Sequence, residues 1–195
     1  MDDIHLEIFK IDIGVLLLKE QRRDFCMEFR KTLKTDVDEI MNIIEQAQAY
    51  FKEQGIDQWQ NNYPNVETIN NDIDSDTSYV LLKDGKVVAT AVVSFDGEET
   101  YNHICDGKWL SNGEYAVMHR VAVDNNYKGL GLSSQIVSHV VELCRKNNVH
   151  SIKIDTHEDN ISMQRLLKKN DFKYCGKINL RDGAERAAFE KIINN

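Results

Sequence analysis

One run of sequence constrains this chain more than any other: "VAVDNNYKGLGLSSQIVSHVVELCRKNN", from Val121 to Asn148. An apolar, β-branched stretch passes through a glycine-spaced turn into a segment whose Leu132, Ile136, Val137, Val140, Val141 and Cys144 recur at helical spacing. The first N–H groups of such a helix have no partners within it, and their dipoles converge just outside its start. With Gly129 and Gly131 letting main chain come close to a ligand, the joint is suited to hold an anion. It is not a phosphate loop of the GxxxxGK[ST] kind. Nor is it a dinucleotide turn, because the third glycine and the distal acidic residue are missing. On spacing alone it reads equally as a helix packed closely on a strand.

The surrounding pattern supplies a sheet for this joint. Thr35 with Asp38 predicts a capping box, and Val37, Ile40, Met41, Ile44 and Phe51 predict a helix from Asp36 to about Gln54, stopped by Gly55. A polar, aromatic loop, "IDQWQNNYPN", leads to a short helix near Val66 to Ile73. "SYVLLK" and "KVVATAVVSF", separated by Asp84-Gly85, predict a hairpin. An irregular stretch comes next, from Gly97 to Gly113, and then "EYAVMHRVAV" as a central strand. After the amphipathic helix come "SIKIDT" as strand, "ISMQRLLKK" as helix, and "FKYCGKI" and "ERAAFEKII" as strands. Hairpins plus one βαβ crossover give a mixed-sheet α/β (α+β) layer fold.

Charge and cysteine usage narrow the partners. The 195 residues carry a formal net charge of −8. General attraction to nucleic acid or to an anionic membrane is therefore not expected, and an anionic ligand must be caught locally. Cys26, Cys105, Cys144 and Cys175 show no CxxC spacing; free buried thiols are expected rather than disulfides. The apolar run Ile13 to Leu18 is far short of the ~20 residues that span a bilayer, and acidic residues precede it, so a cytoplasmic protein is expected. Residues 1–26 fit poorly with the strand and capped helix that begin at Met27. We expect Met27 to be the natural initiator, with Arg22-Arg23 encoded by a ribosome-binding AGGAGG; an ordinary amino-terminal extension is the alternative.

"YKGLGLS" resembles the [RQ]xxGx[GA] acyl-CoA-binding motif of the GNAT superfamily of N-acetyltransferases, with the preceding "VAV" and the later "DTHEDNISMQRLLKKNDF" in the family's order. The resemblance runs from Met27 to Asn195, one domain after the 1–26 extension. It implies a mostly antiparallel twisted sheet with a splayed central strand pair and flanking helices. It also implies acetyl-CoA as acyl donor, no metal, and a primary amine of a small molecule or peptide as acceptor. A homodimer through the final strands is a family habit. The amides of Gly129, Leu130, Gly131, Leu132, Ser133 and Ser134 would hold the pyrophosphate, which suits an acidic protein binding an anion. Lys128 stands in place of the usual Arg or Gln and gives a point charge without a planar fork; Ser133 replaces the last small residue. Val121 and Val123 would offer main-chain groups to the pantetheine arm, and the Val121 N–H would stabilise charge developing on the thioester oxygen. Asn160 is a good N-cap and by resemblance also contacts the cofactor arm.

An attacking amine must lose a proton, which calls for a base. Strand alternation puts His119 on the face of Val121 and makes it the first candidate; a hydrogen-bonded core histidine is the alternative. Glu114 acting through water is the second, against a plain surface carboxylate. Asp155 and His157 either line the acceptor pocket or cap the "DTHEDN" turn. Trp59 and Tyr63 either form a lid over the acceptor or, for Trp59, anchor the core. The family's usual acid is a tyrosine in "LYxKxGF"; here "LLKKNDF" puts Leu167 in its place and Asp171 in place of the glycine, leaving water or Tyr115 to supply the proton. That gap keeps a non-catalytic acyl-CoA-binding or sensing module open as a second reading. Generic nucleotide binding by the glycine turn is a third.

Overall fold

The computed structural model describes residues 26–194, so the apolar run Ile13 to Leu18 and the expectations attached to residues 1–25 lie outside the described residues. Among the described residues, eight strands and four helices occur in chain order: β1 (Met27–Lys31), α1 (Val37–Glu53), α2 (Val66–Asp74), β2 (Ser78–Lys83), β3 (Lys86–Ser94), β4 (Ile104–Cys105), β5 (Ala116–Val123), α3 (Leu132–Lys146), β6 (Ser151–Thr156), α4 (Ile161–Lys169), β7 (Lys173–Asn179) and β8 (Glu185–Ile192). They form one sheet in the order β1-β2-β3-β5-β6-β8-β7-β4. Every neighbouring pair is antiparallel except β5 with β6.

Local chemistry explains most of these elements. Asp84 and Gly85 both take positive φ, 53° and 81°, the two left-handed residues that a tight hairpin turn needs. Asn65 caps α2 by accepting the Thr68 N–H at 2.9 Å. The capping box expected from Thr35 and Asp38 does not form. Asp36 takes that role differently: its carboxylate accepts the Leu33 N–H at 2.7 Å and a two-pronged grip from Arg30 at 2.7 and 3.0 Å. The Gly97 to Gly113 stretch, read as irregular, contains a 3₁₀ turn at Glu99–Asn102 and the short strand β4, which pairs with β7. Of the four free cysteines, Cys144 and Cys175 are buried as expected, whereas Cys26 and Cys105 are exposed. Among the described residues no helix is long and apolar enough to cross a membrane.

The sheet separates two apolar layers. Met118, Ala89, Ala91 and Val93 join Ile136, Val137, Val140 and Leu167 under α3 and α4 on one face. On the other face, Val80, Leu82, Val87 and Ala122 pack against Ile40, Ile43 and Ile44 of α1 and Ile69 of α2. Farther along that second face, Val117, Ile178 and Ala188 pack under Tyr101 of the 3₁₀ turn. The seam between these two covers lies over β5, and the site is built there.

Candidate active site

Two irregularities of β5 shape the site. First, β5 and β6 pair only at Ala116↔Ile152 and Val117↔Lys153. Beyond that point β6 continues pairing with β8, so the two parallel strands part and leave main-chain groups of β5 facing a gap. Second, β5 bulges against β3: Val92 pairs with His119 and Thr90 with Ala122, which sets Arg120 and Val121 opposite Ala91 alone. Arg120 takes φ +51°, a conformation that side-chain-bearing residues seldom adopt. Its guanidinium is held by Asp72 of α2 through two bonds of 2.9 Å. Burial lifts the Asp72 carboxyl despite that grip.

The bulge overturns the alternation argument. Val121 and Val123 pack toward the α3 face, whereas His119, registered with Val92, lies on the opposite one. An extra residue in the strand reverses the side-chain phase of every residue after it.

Where the strands part, a cleft of 390 Å³ opens, lined by Val121, Ala122 and Val123, by Lys128, Gly129, Gly131, Leu132 and Ser133 of the turn, by Asn160 and Met163 at the start of α4, and by Ala47, Tyr50 and Phe51 of α1. Gly129 and Gly131 take φ +81° and +77°, and a Cβ at either would meet nothing within 4 Å. Gly131 caps α3 without a side chain. Among the described residues the amides from Gly129 to Ser134 donate to no backbone or side-chain acceptor; the ladder starts with Gln135 donating to the Gly131 carbonyl at 3.1 Å. Six adjacent donors without protein acceptors fit a diphosphate, and the apolar cleft beside them fits a thioester arm. Leu130 projects outward, 56% exposed. Ser134 accepts an Asn170 side-chain bond at 3.0 Å. Asn160 is buried, caps α4 by accepting the Met163 N–H at 3.0 Å, and donates to Gln58 of the loop after α1 at 3.0 Å. Lys128 is exposed, its ammonium 5.2 Å from the centre of the Tyr50 ring.

None of the residues expected to act on the acceptor lines this cleft; the structure gathers several farther along the face that α1 covers, beneath the 3₁₀ turn. The His119 imidazole lies between two carboxylates, its Nε2 3.7 Å from Glu98 and its Nδ1 3.9 Å from Asp155. Tyr101 donates its hydroxyl to Asp155 at 2.7 Å. Burial first, and Asp155 second, push that hydroxyl well above its ordinary range, so it stays a donor. Where Glu98 titrates, the imidazolium form of His119 is the largest influence on it, holding the carboxyl down to about 2 against the opposing effect of burial, with the Thr100 N–H helping. Tyr115 accepts the Glu98 N–H at 3.3 Å, and its ring lies 3.9 Å from the Lys153 ammonium. Tyr63, 45% exposed, sits with its ring centre 5.8 Å from the Arg120 guanidinium. Trp59 packs edge-on to Phe51 at 5.5 Å, against the α1 layer. His157 accepts the Asp159 N–H at 3.1 Å within its own turn. Glu114 is exposed at the foot of β5. Leu167 is fully buried, and Asp171 adopts φ +65° where the motif has glycine.

Glu98, Tyr101, Asp72 and Tyr50 were missed in the sequence. A glutamate preceding a turn and a tyrosine within it carry no signal of their own. Only the fold brings them over β5.

A family model described as the acetyltransferase (GNAT) family matches residues 39–172. The chain belongs to the GNAT acetyltransferase family. Its members transfer acetyl groups from acetyl-CoA, and its fold is the one seen here. A GNAT-family acetyltransferase structure from Streptococcus agalactiae is 35% identical, with 87% of this chain and 96% of that one covered at a TM-score of 0.80. Two more distant structures share the fold. The ribosomal-protein-S18-alanine N-acetyltransferase of Escherichia coli is 16% identical at a TM-score of 0.58, covering 87% of this chain and 96% of that one. A Salmonella typhimurium protein solved with its cofactor acetyl-CoA is 14% identical at 0.63, covering 87% and 95%. No curated protein sequence matches the chain.

Proposed function

We propose that this GNAT protein is an N-acetyltransferase that moves the acetyl group of acetyl-CoA to a primary amine of a small molecule or peptide by direct attack. The observation that carries the reading is the pairing of two half-sites along β5: a cleft ending in unpartnered amides, and an imidazole between two carboxylates farther along the face that α1 covers. Acetyl-CoA supplies the acyl group, its C–S bond breaking as the C–N bond to the amine forms.

The chain's own residues do the rest. The amides from Gly129 to Ser134 anchor the diphosphate, and Val121 and Val123 hold the arm along the parted strand. A primary amine has a pKa near ~10.4 and arrives protonated; His119 takes up its proton, leaving the lone pair free to attack. The Val121 N–H, in the bulge and outside the regular ladder, lies where negative charge develops. A thiol of pKa about 8.5 leaves without strong assistance, and water or Tyr115 returns the proton. Two carboxylates on the acceptor face favour a cationic amine. Glu114 and His157 have the weaker claim, one exposed and one engaged in its own turn.

The buried Leu167, placed where the family's acid stands, favours one competing reading: an acyl-CoA-binding module without turnover. Incubation with acetyl-CoA and a panel of amines, followed by titration of free thiol, separates the two. Amine-dependent thiol release is expected; coenzyme A binding with no release from any amine selects the sensor. His119→Ala is expected to lower turnover on the order of 10²-fold, within the range of a positioned base, while coenzyme A affinity measured by calorimetry stays the same.

A further inference from the structure

One short 3₁₀ turn delivers two groups to His119 from the same side of the sheet. Glu98 caps the turn: its Oε1 accepts the Thr100 N–H at 3.3 Å and the Thr100 hydroxyl at 3.1 Å, which leaves Oε2 as the oxygen facing Nε2 of the imidazole. Tyr101, three residues on and 2% exposed, fixes Asp155 through its hydroxyl, and that same Oδ1 faces Nδ1. Arg120, the nearest cation on β5, has both prongs occupied by Asp72 and does not compete for either carboxylate.

A neutral imidazole has one N–H and one lone pair. Set between two carboxylates, it satisfies one with its N–H and turns its lone pair toward the other, an arrangement relieved when a proton donor enters between them. The tautomer is set by which carboxylate is fixed. Asp155 is pinned by Tyr101 and its side chain is 12% exposed; Glu98 is 31% exposed and has one oxygen uncommitted. We propose that Tyr101 is a positioning residue that, through Asp155, holds His119 as the Nδ1–H tautomer, and that Glu98 Oε2 with the Nε2 lone pair forms the seat that binds the acceptor's ammonium. This rests on His119 being the base proposed above. The separations of 3.7 and 3.9 Å exceed direct hydrogen bonds, and the more exposed gap, on the Glu98 side, is the one through which a donor enters. The ammonium donates to Glu98 Oε2 and passes one proton to Nε2, and the resulting imidazolium stays stabilised by both carboxylates.

The test has two arms on the full chain. In the first, ¹⁵N-histidine-labelled protein in mildly alkaline buffer is read by long-range ¹H–¹⁵N correlation, with the His119 signals assigned by their loss in His119→Gln. The wild type is expected to show the Nδ1–H form, and Tyr101→Phe a shift toward the Nε2–H form that a free imidazole favours. In the second, Glu98→Gln keeps an oxygen for the Thr100 cap while removing the charge. Its turnover is expected to fall on the order of ten- to a hundredfold, part of the ~10²–10⁴ that a positioned base supplies, with the KM for amine raised and with coenzyme A affinity unchanged. Glu98→Asp is expected to keep the cap and recover part of the loss. An Nε2–H wild type, a tautomer indifferent to Tyr101→Phe, or a Glu98→Gln enzyme of full turnover overturns the proposal. If Tyr101→Phe fails to fold, Asp155→Asn serves in its place. Should no amine release thiol from the wild type, the enzymatic reading fails on its own, and the tautomer still decides whether the clamp exists.

Discussion

Gly131 ends the turn at φ +77° with open space where a Cβ would project, so the residue is required by its backbone and its emptiness is what a ligand uses. Gly131→Glu puts a strained side chain and a negative charge among the free amides. Coenzyme A binding is expected to vanish from calorimetry while the circular dichroism of the fold persists; retained affinity in a folded variant contradicts the anion seat. This residue was legible from the sequence because glycine spacing before an amphipathic helix reports on backbone directly. Arg120 was not. A left-handed arginine at a bulge has no compositional mark, and missing it reversed the predicted face of His119 relative to Val121.

Elements are tied to one another by a few polar and aromatic contacts. The Asp72–Arg120 fork fastens α2 to the bulge of β5. Asp72→Ala leaves a mostly buried cation unpaired, and is expected to cost about 2–3 kcal/mol in urea unfolding, below the ~3–5 of a fully buried pair. It should also lower turnover by loosening the bulge. On the other face, the Phe29 ring of β1 stacks between Tyr79 of β2 at 5.2 Å and His139 of α3 at 4.7 Å. Burial lowers His139 from its ordinary 6.5. The unfolded chain therefore takes up this proton at higher pH than the folded one, so the contribution to stability is full above about 6.5 and is lost as pH falls through the folded value. Thermal midpoints measured between about pH 8 and 5 should show this decline, and His139→Phe, which keeps the stack, should flatten it. Helices and hairpins were readable because their periods and turn residues are local. The two-residue β4 was not, since it is a strand only by virtue of β7.

At the scale of the molecule, the donor cleft draws on α1, β5, the turn, α3 and α4 together, so a ligand there links elements far apart in the chain. Binding confined to the folded state adds about 2.7 kcal/mol when coenzyme A is present at 100 times its Kd, which for a domain of this size raises the thermal midpoint by roughly 5–10 °C. Gly131→Glu should show no such rise. The sequence by itself determined the mixed sheet, the hairpin at Asp84-Gly85 and the glycine turn, because each is written in contiguous residues whose spacing matches a period or a motif, and acetyl-CoA as donor was what the resemblance to the family implied. Tertiary structure alone decided that Glu98, Tyr101, His119 and Asp155 come together, the group proposed as the acceptor side. These residues come from a turn and two strands, and what brings them together is the parting of β5 from β6, the bulge at Arg120 and the packing of the 3₁₀ turn over the sheet, all of which depend on contacts between segments that no local pattern encodes.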